Sequence, residues 1–235
     1  MADVNRTHMQ ITPEQSGLTI VLVGKFNPPI FRPEWFRTRE LVAPADADQA
    51  KIGIIHSEIA SFALPWAAVH VERERFVITT TEDPFVRIHD LLMKLFIDNL
   101  RHTPVMQLGI NRTAHFRLAD KATIDKIGFA LAPPAAWGDW SKDIISGGDK
   151  HGGMRSLTME QSVVADRRAG YIRATVQPSA VIAPGIWIEV NDHYELEDKS
   201  TIPDGSAQIL EILEDRFDES VSRSEWLMDQ VLRLR

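Results

Sequence analysis

The order in which strand-like and helix-like stretches succeed one another limits the folds open to this chain more than any other feature. Leu18 to Val23 is short, continuous and rich in β-branched residues, the pattern of a buried strand. Ile52 to Leu64 carries further strand-like pieces that stop at Pro65. Between Trp66 and Thr81, Val69 and Val71 alternate with His70 and Glu72, a charged tip follows, and Phe76, Ile78 and Thr80 alternate again, which predicts a hairpin. Ile88, Leu91, Leu92, Leu95, Phe96 and Leu100 then recur three and four apart. With Asp83 as N-cap and Pro84 at the first helical position, they predict a helix over 84–101. Val105 to Leu118 reads as strand with a break at Gly109, and Thr123 to Leu131 as a short helix ended by Pro133 and Pro134. Three strands follow, at Leu157 to Val164, Tyr171 to Val176 and Ile182 to Tyr194. A long terminal helix opens at Pro203-Asp-Gly205 and carries Ile209, Ile212, Leu213, Phe217, Val221, Leu227, Met228 and Val231 as its apolar stripe.

Groups of strands closed by a helix do not make a doubly wound parallel sheet, which needs single strands and helices in alternation. The expected class is α+β, with one or more antiparallel sheets and helices packed on one face. Both halves place a meander before a helix, so two similar halves are an option that rests on order alone. The expected division is an N-terminal α+β half over 1–145, a flexible linker over 146–153, and a C-terminal β-meander with its long helix over 154–235. The linker assignment comes from Ser146-Gly-Gly-Asp-Lys-His-Gly-Gly153.

Several function classes are removed by composition. The 235 residues include no cysteine, so disulfides, thiolate zinc sites and cysteine nucleophiles are excluded. No apolar run approaches the roughly 18 residues of a membrane-spanning helix, and the polar stretch Met1 to Gln10 lacks the apolar core of a secretory signal. A cytoplasmic protein without membrane contact is expected. The net charge of −7 is uneven. From Glu189 to Glu219 eleven acidic residues face only Lys199 and Arg216, a net −9, which leaves +2 for the rest. A solvated helix face explains such a split. So does an acidic face that meets a basic partner or a second copy of the chain.

Asn27 to Phe36 cannot be regular structure, because Pro28, Pro29 and Pro33 remove three backbone donors and fix three φ angles. It reads as an ordered loop pinned by Phe26, Phe31, Trp35 and Phe36, turning into a short helix at Pro33-Glu34-Trp35. Val42 to Gln49 reads as a turn or exposed segment. Phe26-Asn-Pro-Pro-Ile-Phe-Arg-Pro-Glu-Trp-Phe36 and His102-Thr-Pro-Val-Met-Gln-Leu-Gly-Ile-Asn-Arg-Thr-Ala-His-Phe116, with the overall length, resemble a sporadically distributed family of uncharacterised bacterial proteins. That resemblance covers most of the first half and carries no catalytic residues with it. The patchy distribution is similar to that of accessory-genome modules such as toxin–antitoxin or phage-defence components.

The best polar constellation for chemistry is Asn111, Arg112 and His115, with His102 upstream. On a strand, Asn111 and His115 share one face and Arg112 takes the other. Asn111 and His115 suit an anion or carbonyl with His115 as acid or base. The alternative is a turn at Asn111-Arg112 and a satisfied surface histidine. Histidine spacing supports no metal site, since His193 beside Asp192 and Glu195 reads as acidic surface. Glu197-Asp-Lys199 after Asp192 only faintly matches a nuclease carboxylate–lysine layout. Gly147 to Gly153 lacks the residue order of a phosphate loop. Trp66 and Trp187 read as core or half-core, and the loop residues Trp35, Trp137 and Trp140 as loop pins or contacts.

The first reading is therefore a non-enzymatic interaction or regulatory subunit of a bacterial assembly. Arg32, Trp35, Arg37, Glu211, Asp215 and Trp226 are its contact residues, and a homo-oligomer or a protein is its partner. The second is a ligand-binding protein or enzyme using Asn111, Arg112 and His115. Nucleic acid is disfavoured by an isoelectric point near 5.6, and no cofactor or metal is expected.

Overall fold

The computed structural model describes residues 9–146, 152–167, 169–198 and 202–235. Most of the expected linker, 147–151, lies outside the described residues.

The strands are β1 (Gln15–Gly24), β2 (Lys51–Ile55), β3 (Ile59–Ala63), β4 (Ala68–Glu72), β5 (Arg75–Thr80), β6 (Val105–Arg117), β7 (Leu157–Gln161), β8 (Gly170–Pro178) and β9 (Gly185–Glu195). They form a single nine-stranded sheet in the order β2-β3-β4-β5-β1-β6-β9-β8-β7. Every recorded pairing is antiparallel, so the α+β expectation with an antiparallel sheet holds. β6 joins the two halves of the sequence. It pairs with β1 on one side and along eleven residues with β9 on the other. Gly109 does not break it, because the glycine stays in register with both Val21 and His193.

The helices are α1 (Pro33–Thr38), α2 (Pro44–Asp48), α3 (Val86–Lys94), α4 (Lys121–Leu131), α5 (Trp140–Ile145) and α6 (Ala207–Leu232). α3 continues into a π-helical turn over Leu95–Asn99. It starts two residues later than expected, at Val86 with Phe85 as its N-cap, and Asp83 and Pro84 stand outside the helix. The segment expected as a turn at 42–49 contains α2, with Pro44 at its first position and Val42 and Ala47 buried beside the core. The proline-rich loop is pinned as its aromatic spacing suggests. Phe26, Phe31 and Phe36 are buried and Trp35 is half-buried. Their rings pack at 5.4 Å (Phe31–Phe76) and 5.1 Å (Phe36–Phe62).

Strand alternation sends the even-numbered residues of β1, β6, β8 and β9 to one side. There, Leu18, Ile20, Leu22, Leu108 and Ile110 join α3 and the first half of α6 in one apolar cluster. Ala114, Phe116, Ile172, Val176, Ile186, Ile188 and Val190 join α4 and the end of α6 in a second. Both clusters lie on the same side of the sheet. α6 spans them with Leu213 and Phe217 at one and Met228 and Leu232 at the other.

Between the clusters α6 presents Ser220 and Ser224, both buried, to a polar belt. Asp192 on β9 is fully buried and bridges Arg167 Nη1 at 2.5 Å and Arg223 Nη1 at 2.8 Å. Asp166 bridges the same two arginines at 2.7 and 2.5 Å. Arg167 lies 3.7 Å over the Tyr194 ring, and the Tyr194 hydroxyl is 2.8 Å from Ser220 Oγ. Burial raises the Asp166 pKa, but hydrogen bonds from Arg167 and Arg223 outweigh it and bring the carboxyl down to about 2.

Candidate functional site

The odd-numbered residues of β1, β6, β9 and β8 point away from both apolar clusters, onto a face that no helix of either cluster reaches. The registers place them in a grid. His115, Trp187 and Gln177 form one row; Thr113, Glu189 and Thr175 the next; then Asn111, Asn191 and Arg173; then Gly109, His193 and Tyr171. A sheet open on one side normally carries solvated polar residues there. These are instead half-buried side chains that shield one another.

The local electrostatics follow from that shielding. Desolvation lowers the pKa of His115 and, more than Glu195 can offset, that of His193. Desolvation alone raises the Glu189 carboxyl. The other carboxylates of this half of the face have partners. Glu160 is bound by Arg173 at 2.6 Å, Glu195 by His193 at 3.1 Å, and Glu14 by Arg117. Glu189 has no hydrogen-bond or ion-pair partner among the described residues. Arg173, its diagonal neighbour, is held by Glu160 and lies 4.5 Å over the Tyr171 ring, which stacks on His193 at 4.6 Å. Beyond Glu189 on the same strand, Asn191 Oδ1 is shielded from solvent and accepts no hydrogen bond. A methyl group at Gly109 would meet Asn111 Nδ2 at 3.3 Å and Asn191 Oδ1 at 3.5 Å, so both amides lean over the glycine.

The structure does not bring Asn111, Arg112 and His115 together. Arg112 is buried on the helix side. There it donates to the carbonyls of Gly17 (3.1 Å) and Thr113 (2.9 Å), pairs with Glu225 at 3.4 Å, and lies 4.4 Å over Phe85. Asn111 and His115 do share the open face, two rows apart. Ser179 Oγ accepts from the N–H groups of Val181 and Ile182. Its own proton therefore goes to His115 Nδ1 at 2.9 Å, leaving the imidazole proton on Nε2. His115 thus anchors the β8–β9 connection.

The six residues expected to make contacts are dispersed. Arg32 donates to the Pro29 carbonyl, Arg37 pairs with Asp48 at 2.8 Å, and Trp35 packs edge-on to Phe31 and Phe36. Glu211 and Asp215 line an open cleft of about 1050 Å³ at the start of α6, together with Glu195, Asp204 and Arg167. Trp226 is 54% exposed on the same helix. Trp137 and Trp140 stand exposed as an edge-to-face pair 5.6 Å apart.

Sequence reasoning missed Trp187, Glu189 and Asn191 as a group. Their signal was present in the period-2 alternation with Ile186, Ile188 and Val190. Their neighbours became visible only once β9 was paired to β6 and β8. No group of three or more potential metal-binding side chains occurs among the described residues, and no described helix is long and apolar enough to cross a membrane. A comparison with protein-family models and with curated proteins returns no match.

Proposed function

We propose that the protein is a non-enzymatic interaction module that docks a partner protein on the open face of its sheet. The observation that carries this reading is the desolvation of Glu189, Asn191, His115 and His193 on a face that no helix of the apolar clusters covers. His115 and His193 are bonded to Ser179 and Glu195, but Glu189 and the Asn191 amide oxygen have no partner among the described residues, which is expensive in a monomer, and a docked surface supplies what they lack. The face carries Lys51, Arg75, Arg117 and Arg173 against Glu14, Glu72, Glu160, Glu189 and Glu195. This near balance favours a protein over a nucleic acid, whose phosphates need a basic surface.

The test is site-specific photo-cross-linking in producing cells, with the reactive side chain at Thr175 on the open face or at Asp218 on the outer surface of α6. One discrete cross-linked species from position 175 that position 218 does not give is the expected result. No adduct from 175, or equal adducts from both positions, contradicts the reading.

A further inference from the structure

We infer that Glu189, flanked by Trp187 and Asn191 on β9, is the seat for an arginine side chain of the docked partner. The inference rests on the docking reading above and adds the chemistry of its central contact.

Three observations converge on a guanidinium. Glu189 sits in the second of the four rows and is the carboxylate there that no described residue neutralises, while Glu160 and Glu14 each have an arginine and Glu195 is bonded to His193. The vacancy is not an accident of side-chain reach. Arg173 is near enough to be a diagonal neighbour, but two bonds to Glu160 and its position over Tyr171 hold it elsewhere. No cation of the described residues is left for Glu189, and the partner's arginine supplies one.

Asn191 adds a second acceptor with no donor, Oδ1, two residues along the strand. Side chains two positions apart on a strand stand roughly 6.5 Å from one another. A compact ammonium meets one such acceptor at a time, whereas a planar guanidinium carries five donors on three nitrogens and reaches both. The hydroxyls beside Glu189 offer little competition, since Thr113 is engaged with the Gly17 carbonyl and Thr175 with Thr158.

Trp187 borders the opposite side of Glu189 on the same face, half-buried, with its ring against His115 at 6.4 Å. An indole face is the best aromatic surface for a guanidinium, which stacks on it while donating in its own plane. Carboxylate, indole and amide oxygen in one line along β9 match the donors and the flat faces of arginine. With Glu189 as the one acid in the group, the site suits an organic cation better than a divalent metal.

The probe is the peptide acetyl-Gly-Arg-Gly-amide, titrated into the intact protein while the Trp187 indole N–H and the Glu189 carboxyl carbon are followed by NMR. The arginine peptide should shift both signals saturably. The citrulline peptide, uncharged but of the same shape, should bind about tenfold more weakly or worse, and the lysine peptide should also be weaker. Glu189→Gln, which keeps the shape of the side chain, should abolish the response to arginine and leave the rest of the spectrum in place. Equal responses to arginine and citrulline, or a response that survives Glu189→Gln, overturn the inference. So does spermidine matching the arginine peptide, because the occupant would then be a free amine. In cells, a cross-link from position 175 that persists undiminished in Glu189→Gln overturns the arginine seat and leaves the docking face standing. Loss of every such cross-link in the unaltered protein overturns both.

Discussion

Glu189 and Asp192 are three residues apart on one strand and show how the face of a sheet decides the fate of a carboxylate. Asp192 points into the core and is acceptable there because two arginines hold it. Asp192→Ala takes one buried carboxylate from both Arg167 and Arg223, and should destabilise the protein by about 3–5 kcal/mol, read from urea melts. Glu189 points the other way and has no partner among the described residues. Its pKa is raised, so the native state binds its proton more tightly than the unfolded chain does. Stability therefore falls as pH climbs from the unfolded value of 4.5 through the higher native value. Glu189→Gln should consequently raise the melting temperature at pH 7, and the gain should vanish below pH 4.5. A variant that melts lower than the parent at pH 7 would show that the carboxylate has a partner.

Elements were legible in the sequence where one face of a strand or helix carries the pattern. The stripe of α6 and the alternation of β4 and β5 were read correctly from spacing. The middle of α6 was not, because Ser220 and Ser224 look like solvent-facing positions until β9 brings Tyr194 against Ser220. α2 was missed because its five residues are too few to show a period. The start of α6 depends on backbone approach. A β-carbon at Gly205 would stand 2.2 Å from the Arg101 carbonyl oxygen, which accepts from Ser206 N–H at 3.1 Å. Gly205→Ala should push the first turn of α6 off that carbonyl, and amide exchange in residues 206–210 should quicken relative to the helix centre. The pinned segment that runs from Phe26 into α1 is held by ring packing. Trp35→Ala removes the edge-on contacts to Phe31 and Phe36 and should cost about 2 kcal/mol in chemical unfolding. An unchanged midpoint would mean that the ring contributes nothing to the fold.

At the scale of the molecule, what the sequence could not reveal was which strands lie side by side. Alternation assigns each residue a face, but β6 and β9 are about seventy positions apart, and nothing local announces that they pair. That pairing makes a single sheet of the two groups of strands. It also sets Thr113 beside Glu189 and Asn111 beside Asn191, and so creates the open face from residues that look unremarkable singly. The same pairing places Arg112 under α6, where it serves the core. Whether this face holds a carboxylate ready for a cation from outside is decided by titrating the Glu189 carboxyl carbon by NMR, alone and with the arginine peptide present. A midpoint above the ordinary 4.5 is expected for the protein alone, and a lower midpoint when the peptide is bound. A midpoint at or below 4.5 in the protein alone, or one that the peptide leaves unmoved, would show that the face holds no such carboxylate.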